Sequence, residues 1–479
     1  MLPKNVYRSL LLLPILFLFS CKNENRLPDQ VTFTEHIAPL LYNNCTICHR
    51  PNGGAHFDLI TYQQAKNYGR ALAFVCRQRI MPPWPADPHY TEFVGQRVMA
   101  ERDIRLLEKW VQDGMAEGPA DKMPALPDYP VGSTIGVPDM RIPVQPVFLE
   151  ANSGDRFLIV KVPYQLPQDT FASVIEFVAG NSNVVHHVNG DMIKYDFGKK
   201  RDVFDGDRIA DMVNDSTVQL TYQKLKLQND DGSYPTLQRS VVNYLPGVFG
   251  QLYPDGIGGY SLPRKGAFLL NDLHYGFTKD QPVWDSSYIN IFFAKAPPSR
   301  PLREFQLGTL GVAPVEPDLV IQPNTVKKVY SRYTVPDDIS ILTINPHMHL
   351  LGKSFKAYAL PAGGGDTIRL ISIPKWDFNW QYFYTFKKMV KIPKGSTIVA
   401  EGVYDNTKDN IYNPFTPPRL VRDQNGSMRA TDEMFQLIIS YLPYQQGDED
   451  ISLETDNPWN SNKGLPDNVT CEFPAIKGN

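Results

Sequence analysis

The sequence predicts a multidomain chain of the α plus all-β class: a small helical domain followed by two antiparallel β-sandwich domains. Three observations carry this. The chain has 479 residues, more than a single hydrophobic core usually serves. Its apolar spacing is helical up to residue 117 and strand-like from residue 147 onward. A Pro-rich stretch with neither period, 118–146, separates the two regions and reads as a linker. Hydrophobic residues make up 42% of the chain, enough for a packed core in each domain. The 41 prolines and 24 tyrosines fit β-rich structure with many turns. A net charge of −3 and a pI near 6.3 lack the basic footprint of a nucleic-acid binder.

Residues 1–21 read as a targeting segment. Lys4 and Arg8 form a basic n-region, and Leu10 to Phe19 is an apolar run too short to span a bilayer. It ends in Leu18-Phe19-Ser20-Cys21, which resembles the lipobox of bacterial lipoproteins, although Phe19 is bulkier than that motif usually carries. The resemblance implies lipidation of Cys21. The mature protein would then be tied by acyl chains to a cell-envelope membrane, facing the periplasm or the surface, with no transmembrane helix. An ordinary signal peptide with a chance cysteine is the other reading. The polar residues 22–30 form a short tether.

Residues 31–117 carry the helical pattern. Thr34 is placed to cap a short helix bearing Ile37, Leu40 and Leu41. From Ala100 to Met115, Ile104, Leu107, Val111 and Met115 share one face, Trp110 adds bulk beside it, and Gly114 marks the end. Within this region stands Cys45-Thr46-Ile47-Cys48-His49, a C-x-x-C-H motif. Two thiols at that spacing can add to the two vinyl groups of a haem, and the following histidine reaches the iron. A redox dithiol is the rival, disfavoured by His49 and the helical surroundings. An export signal agrees with haem, because c-type haem is attached outside the cytoplasm. Met81 stands 32 positions after His49, in Ile80-Met81-Pro82-Pro83-Trp84. That segment resembles the Met-Pro loop of small cytochromes c and implies Met81 as the sixth ligand. Met99 and Met115 are the other candidates. His/Met ligation suits electron transfer. His36, His56 and His89 read as satisfied or exposed histidines outside these motifs.

From residue 147 short β-branched and aromatic runs alternate with Gly, Pro, Asn and Asp turns. They include Phe157–Val162, Phe171–Val178, Ser287–Phe293, Ile339–Ile344 and Phe435–Tyr441. The prolines of 296–304 divide the region into sandwiches at 147–298 and 305–475. Its histidines are few and clustered: His186 next to His187, His274 alone, and His347 and His349 around Met348. Imidazoles suit copper, zinc and iron. In a strand residues i and i+2 project from one face, so His347 and His349 can converge on one ion. Adjacent His186 and His187 can share a metal only at a bulge or a strand end.

The order His186-His187, His274-Tyr275-Gly276, His347-Met348-His349-Leu350-Leu351-Gly352-Lys353 and Asp432-Glu433-Met434 resembles the copper type II, ascorbate-dependent monooxygenases. That family includes the peptide-amidating hydroxylase and dopamine β-hydroxylase. Through these motifs the resemblance spans about residues 135–475. It implies two jelly-roll-like sandwiches with one copper ion in each. His186, His187 and His274 would hold an electron-transfer copper. His347, His349 and Met434 would hold the catalytic copper where O2 reacts. A thioether beside two imidazoles favours Cu(I) over zinc. The peptide-amidating enzymes carry an arginine where this chain has Asn345, and Asn and Tyr where it has Gln436 and Ile438. A glycine-extended peptide is therefore not the expected substrate.

The expected function is a copper-dependent monooxygenase that hydroxylates an aliphatic C–H of an unknown small molecule with O2. Its electrons would pass through the covalent c-type haem from an unknown donor. The alternative is a non-catalytic, membrane-anchored electron-transfer or copper-binding protein. Of five cysteines, Cys76 and Cys471 remain outside these assignments, either as a disulfide or as free thiols.

Overall fold

The computed structural model describes residues 26–129, 131–211, 218–248, 250–424 and 429–454; Cys21 and Cys471 lie outside them. Three α-helices open the chain: Ala38–Asn44, Tyr62–Arg77 and Glu101–Gln112. The longest begins at a reciprocal cap absent from the expectations above. The Gln64 N–H donates to Thr61 Oγ1 at 3.3 Å, and the Thr61 N–H donates to Gln64 Oε1 at 2.9 Å. The cap expected at Thr34 does not form. The Phe33 and Thr34 N–H groups instead donate to Ala116 O and Glu117 O, so the chain is already held there by its own return. It enters a π-helical turn, Phe33–Ile37, behind Thr32. The third helix ends before Met115, because Gly114 (φ 88°) and Met115 (φ 59°) are left-handed and reverse the chain. Phe33, Ile37, Leu41, Leu72, Leu107 and Trp110 bury together, and Cys76 joins that core.

The remainder is mostly β, and its paired strands run antiparallel. In the first β unit a five-stranded sheet contains Arg156–Gln165, Lys265–Tyr275, Val185–Lys194 and Thr236–Tyr244 as successive neighbours. It faces a sheet built on Thr170–Val178 and Tyr288–Phe293. Val160, Val188, Phe268 and Leu270 from the first sheet bury against Ile175, Phe177, Ile289 and Ile291 from the second. Met140–Pro143 pairs with Tyr288–Phe293, so the Pro-rich stretch already supplies an edge strand. In the second β unit, Arg303–Gly308, Phe435–Pro443, Ile339–Met348 and Tyr384–Ile392 form one four-stranded sheet. Val326–Thr334, Thr397–Asp405, Gly352–Leu360 and Ile368–Ile373 form the other. Leu307, Ile341, Ile344, Phe355, Ala400, Phe435 and Ile439 fill the space between them.

The helical unit is stitched to both β units. After Met81 the chain crosses to the second one, where Asp87 N–H donates to Ser372 O and Val94 N–H to Thr385 O, both at 2.8 Å. Trp84 and Phe93 pack into that unit's core. Ser182 Oγ of the first β unit lies 3.0 Å from both Asn52 O and Gly53 O. The β units meet through Tyr253 Oη and Thr343 Oγ1, 2.8 Å apart.

The proline-rich divider at 296–304 is anchored by charge. Arg300 donates to both carboxylate oxygens of Asp448, at 2.6 and 2.8 Å, and to Pro443 O at 2.7 Å. Burial alone would raise the Asp448 carboxyl, but Arg300 and Ser340 bring it down from 3.8 to about 2. A carboxyl whose folded pKa is depressed contributes stability above its unfolded value, and loses it as pH falls through the folded one. Arg300→Ala strands the buried carboxylate and is expected to cost about 3 kcal/mol of unfolding free energy at neutral pH. The deficit should shrink as pH falls from 3.8 toward 2. Denaturant titration of the native and variant proteins across that range checks both statements.

Candidate metal centres

The first histidine cluster is produced by a bulge. Val185 pairs with Tyr275 and His187 with His274, which leaves His186 as one extra residue in its strand. In a regular ladder His186 and His187 would point to opposite faces; the extra residue lets both turn to one side. His187 Nδ1 lies 3.3 Å from His186 Nδ1 and 3.3 Å from His274 Nδ1. Two nitrogens each about 2.0–2.1 Å from one tetrahedral ion stand about 3.3 Å apart. All three ligand atoms fall within 4.8 Å of one another. Among the described residues this is the one such group of three or more His, Cys, Asp and Glu side chains.

A carboxylate faces the outer nitrogen of two of these rings. His187 Nε2 is 2.9 Å from Asp272 Oδ2, and His274 Nε2 is 3.3 Å from Asp155 Oδ1. Phe157 stacks on His274 with ring centroids 4.1 Å apart. Outer partners of this kind set the tautomer and aim the free nitrogen at an ion. Burial keeps the His186 imidazole neutral, lowering its pKa to about 3, and His187 and His274 add to the effect. Burial also lowers His274. For Asp272 burial acts upward, but the adjacent His187 and His274 bring its carboxyl down to about 2. Neutral imidazole is the metal-binding form. Between pH 6.5 and about 3 the unfolded chain binds more protons at His186 than the fold does, so the metal-free fold weakens as pH falls through that window.

The second cluster lies at a strand end. His347 belongs to the strand Ile339–Met348 and His349 follows it. Their rings stand 4.9 Å apart and nearly perpendicular. His347 Nδ1 meets Gln381 Oε1, which leaves Nε2 as the nitrogen available to an ion. His349 Nδ1 is 3.0 Å from Asp432 O. Met348 pairs with Phe435, so the buried Met434 is the next residue beyond that pair, on the His349 side. Glu433 fixes this junction, accepting from the His349 N–H at 3.0 Å and the Leu351 N–H at 2.7 Å. Tyr404 Oη donates to Met434 O at 2.7 Å. Burial pushes the Glu433 carboxyl up to about 8 despite these N–H bonds. His347 is held neutral by burial first and by His349 second, at about 3.

Phe378 lies edge-on to both clusters, 6.0 Å from His187 and 5.7 Å from His349 between ring centroids. Asp272, bound to His187, also acts electrostatically on His347 and His349. The two clusters therefore face each other across one ring. A cavity of about 150 Å³ adjoins them, lined by His187, Asp272, Tyr244, Gln381, Tyr382 and Trp84.

Cys45, Cys48 and His49 share one turn, in which the Cys48 and His49 N–H groups donate to Cys45 O at 3.1 and 2.9 Å. His49 Nδ1 is 3.0 Å from Phe57 O, leaving Nε2 for an iron. Burial raises the Cys45 thiol; it raises Cys48 as well, opposed by Arg97 and Arg50. Gly247, at φ 77°, presses against this turn: a Cβ there would lie 2.6 Å from Cys48 Sγ. Met81 lines a cavity of about 240 Å³ with Trp84, Arg97 and Met99. His49 and Met115 are not among its lining residues, and Met115 packs against Gly69. Trp84 Nε1 is buried without a hydrogen-bond partner among the described residues. An unsatisfied donor beside Arg97 suits the anionic edge of a haem.

Asp155, Asp272, Gln381 and Phe378 are absent from the sequence-based assignments. Asp272 had a signal, since it precedes His274 by two residues in a strand and shares its face. Asp155, Gln381 and Phe378 reach the clusters only through tertiary packing.

Residues 314–416, about a fifth of the chain, match the family model described as copper type II ascorbate-dependent monooxygenase, C-terminal domain. No curated protein matches the chain. The matched segment contains His347 and His349, and the family implies copper, O2 and an oxidoreductase. Met434, the His186 cluster and the helical unit lie outside it.

Asp272→Asn keeps the shape of the carboxylate but removes its charge from His187. Copper affinity at the His186 cluster is expected to fall about 10–100-fold. Competition with a chromophoric chelator reads this, and an unchanged affinity would show that Asp272 does not support a ligand.

Proposed function

We propose that this protein is a copper-dependent monooxygenase supplied with electrons through a covalent c-type haem. The observation that carries the reading is the pairing of two inward-facing histidine sets, each braced from behind, across the single ring of Phe378. His347, His349 and Met434 are the ligands of the catalytic copper. His186, His187 and His274 hold the electron-transfer copper. Cys45 and Cys48 would attach the haem, and His49 and Met81 would be the side chains that bind its iron. Copper bound at these donors supplies one-electron transfer and the activation of O2 for insertion into an aliphatic C–H.

The chain's own groups prepare the site. Gln381 and Asp432 O set the two ring orientations at the catalytic cluster, and Glu433 ties His349 to Met434 through the backbone. Burial of His347, His349 and Met434 excludes bulk water from the reacting side. Asn345 Nδ2 donates to Tyr382 O at 3.0 Å and so helps to hold a loop. No cation stands at that position to grip a substrate carboxylate, which points to a small substrate lacking that handle. Lipidation of Cys21 and export to the cell envelope belong to the same proposal, because c-type haem is attached outside the cytoplasm.

Met434→Ala removes the thioether and leaves the histidines. Reoxidation of the fully reduced, metal-loaded protein by O2 should slow by about 100-fold or more, beyond the cost of losing an outer partner alone. The haem spectrum and the copper at the His186 cluster should persist. A native rate of O2 reaction in this variant would contradict the assignment.

A further inference from the structure

One wall separates the two cavities described above, and Trp84 belongs to both. It lines the cavity that holds Met81 and Met99, and it lines the cavity that holds His187. From Trp84 a line of rings runs into the second β unit and back to the first. The Trp84 and Tyr382 ring centroids are 5.3 Å apart. Tyr382 and Trp380 lie nearly parallel at 6.2 Å, and Trp380 is 6.5 Å from His186. A hydrogen bond fixes the junction between units: Tyr382 Oη donates to Pro83 O at 2.8 Å. Tyr382, at 5% exposure, is the buried middle of this line, and Trp84, Trp380 and His186 are half-buried on either side of it. His186 also differs from its neighbours. His187 and His274 have carboxylates at their outer nitrogens, whereas His186 has Trp380 in ring contact.

We propose that Trp84, Tyr382 and Trp380 form the electron path from the haem-bearing unit to the His186 copper ligand. The inference rests on the haem and copper assignment above and specifies how the two are joined. In the step itself one electron leaves a ferrous haem, which becomes ferric. That electron reduces a cupric ion held by His186, His187 and His274 to cuprous. No bond forms or breaks, and no proton moves. The three rings act as a continuous packed medium and are not themselves oxidised. The path runs through the same chain segment that carries Phe378 and Gln381, so one loop of the second β unit touches the haem-bearing unit and both histidine clusters.

The test uses the full chain carrying haem and copper, under exclusion of O2. A flash-generated flavin semiquinone reduces the haem, and the absorbance of the haem then reports its reoxidation by cupric copper in the same molecule. Trp380→Leu removes a ring from the path, and Trp380→Phe restores one. In the Leu variant intramolecular reoxidation should slow by about an order of magnitude, ~1.4 kcal/mol on the rate scale. The Phe variant should run close to the native rate. Trp84→Leu breaks the same line at its other end and should slow the reaction alike. Copper content and haem spectrum are measured on every variant. A native rate in either Leu variant that retains both metals would overturn the path while leaving the metal assignment intact. Failure of the unaltered protein to bind haem or copper would overturn the assignment and the path together.

Discussion

Five imidazoles gathered in two buried clusters impose the constraint on which the rest depends. Each must stay neutral to bind a metal, and each must be aimed without solvent to help. At His186, His274, His347 and His349 burial supplies neutrality, and it does so at a cost, because the unfolded chain protonates those four rings more readily. Aim is supplied from behind. Asp272 and Asp155 brace one cluster, while Gln381 and Asp432 O brace the other. The β framework exists in a form that permits this: a bulge at His186 and a strand end at His349.

The second organising element is the segment from Phe378 to Tyr384. It links the strands of a sandwich, yet its side chains serve neighbouring units. Phe378 contacts both clusters, Trp380 contacts His186, Gln381 orients His347, and Tyr382 and Tyr384 pack on Trp84. Such side chains couple the placement of the three units to the geometry of the sites. Arg300 and Asp448 hold the divider between the β units to the second one.

Much of this was legible in the sequence, and for physical reasons. Runs of β-branched and aromatic residues bounded by turns located Phe171–Val178 and Phe435–Tyr441 to within a residue or two of the observed strands, because sandwich strands buried on both faces read as short continuous apolar runs. The need for a bulge or a strand end at His186 followed from the alternation of side chains along a strand, and the structure has the bulge. What stayed hidden was nonlocal. Gln381 stands 34 positions from His347, and Asp155 stands well over a hundred before His274. No local spacing marks such pairs. The helix Tyr62–Arg77 falls in the region read as helical but was not bounded there, although Thr61 and Gln64 spell its cap, because the face it buries is built largely of small residues, Ala65, Gly69 and Ala73. The return of the chain onto Phe33, which displaced the cap from Thr34, likewise depends on packing that no window reveals.

The central claim is that one chain carries a haem and two separate copper sites. The most direct measurement is the copper-to-haem ratio of the full protein, matured in a haem-attaching host, loaded with copper and freed of loosely held metal. One complete ligand set per sandwich predicts about two coppers per haem. A ratio near zero would contradict the proposed function.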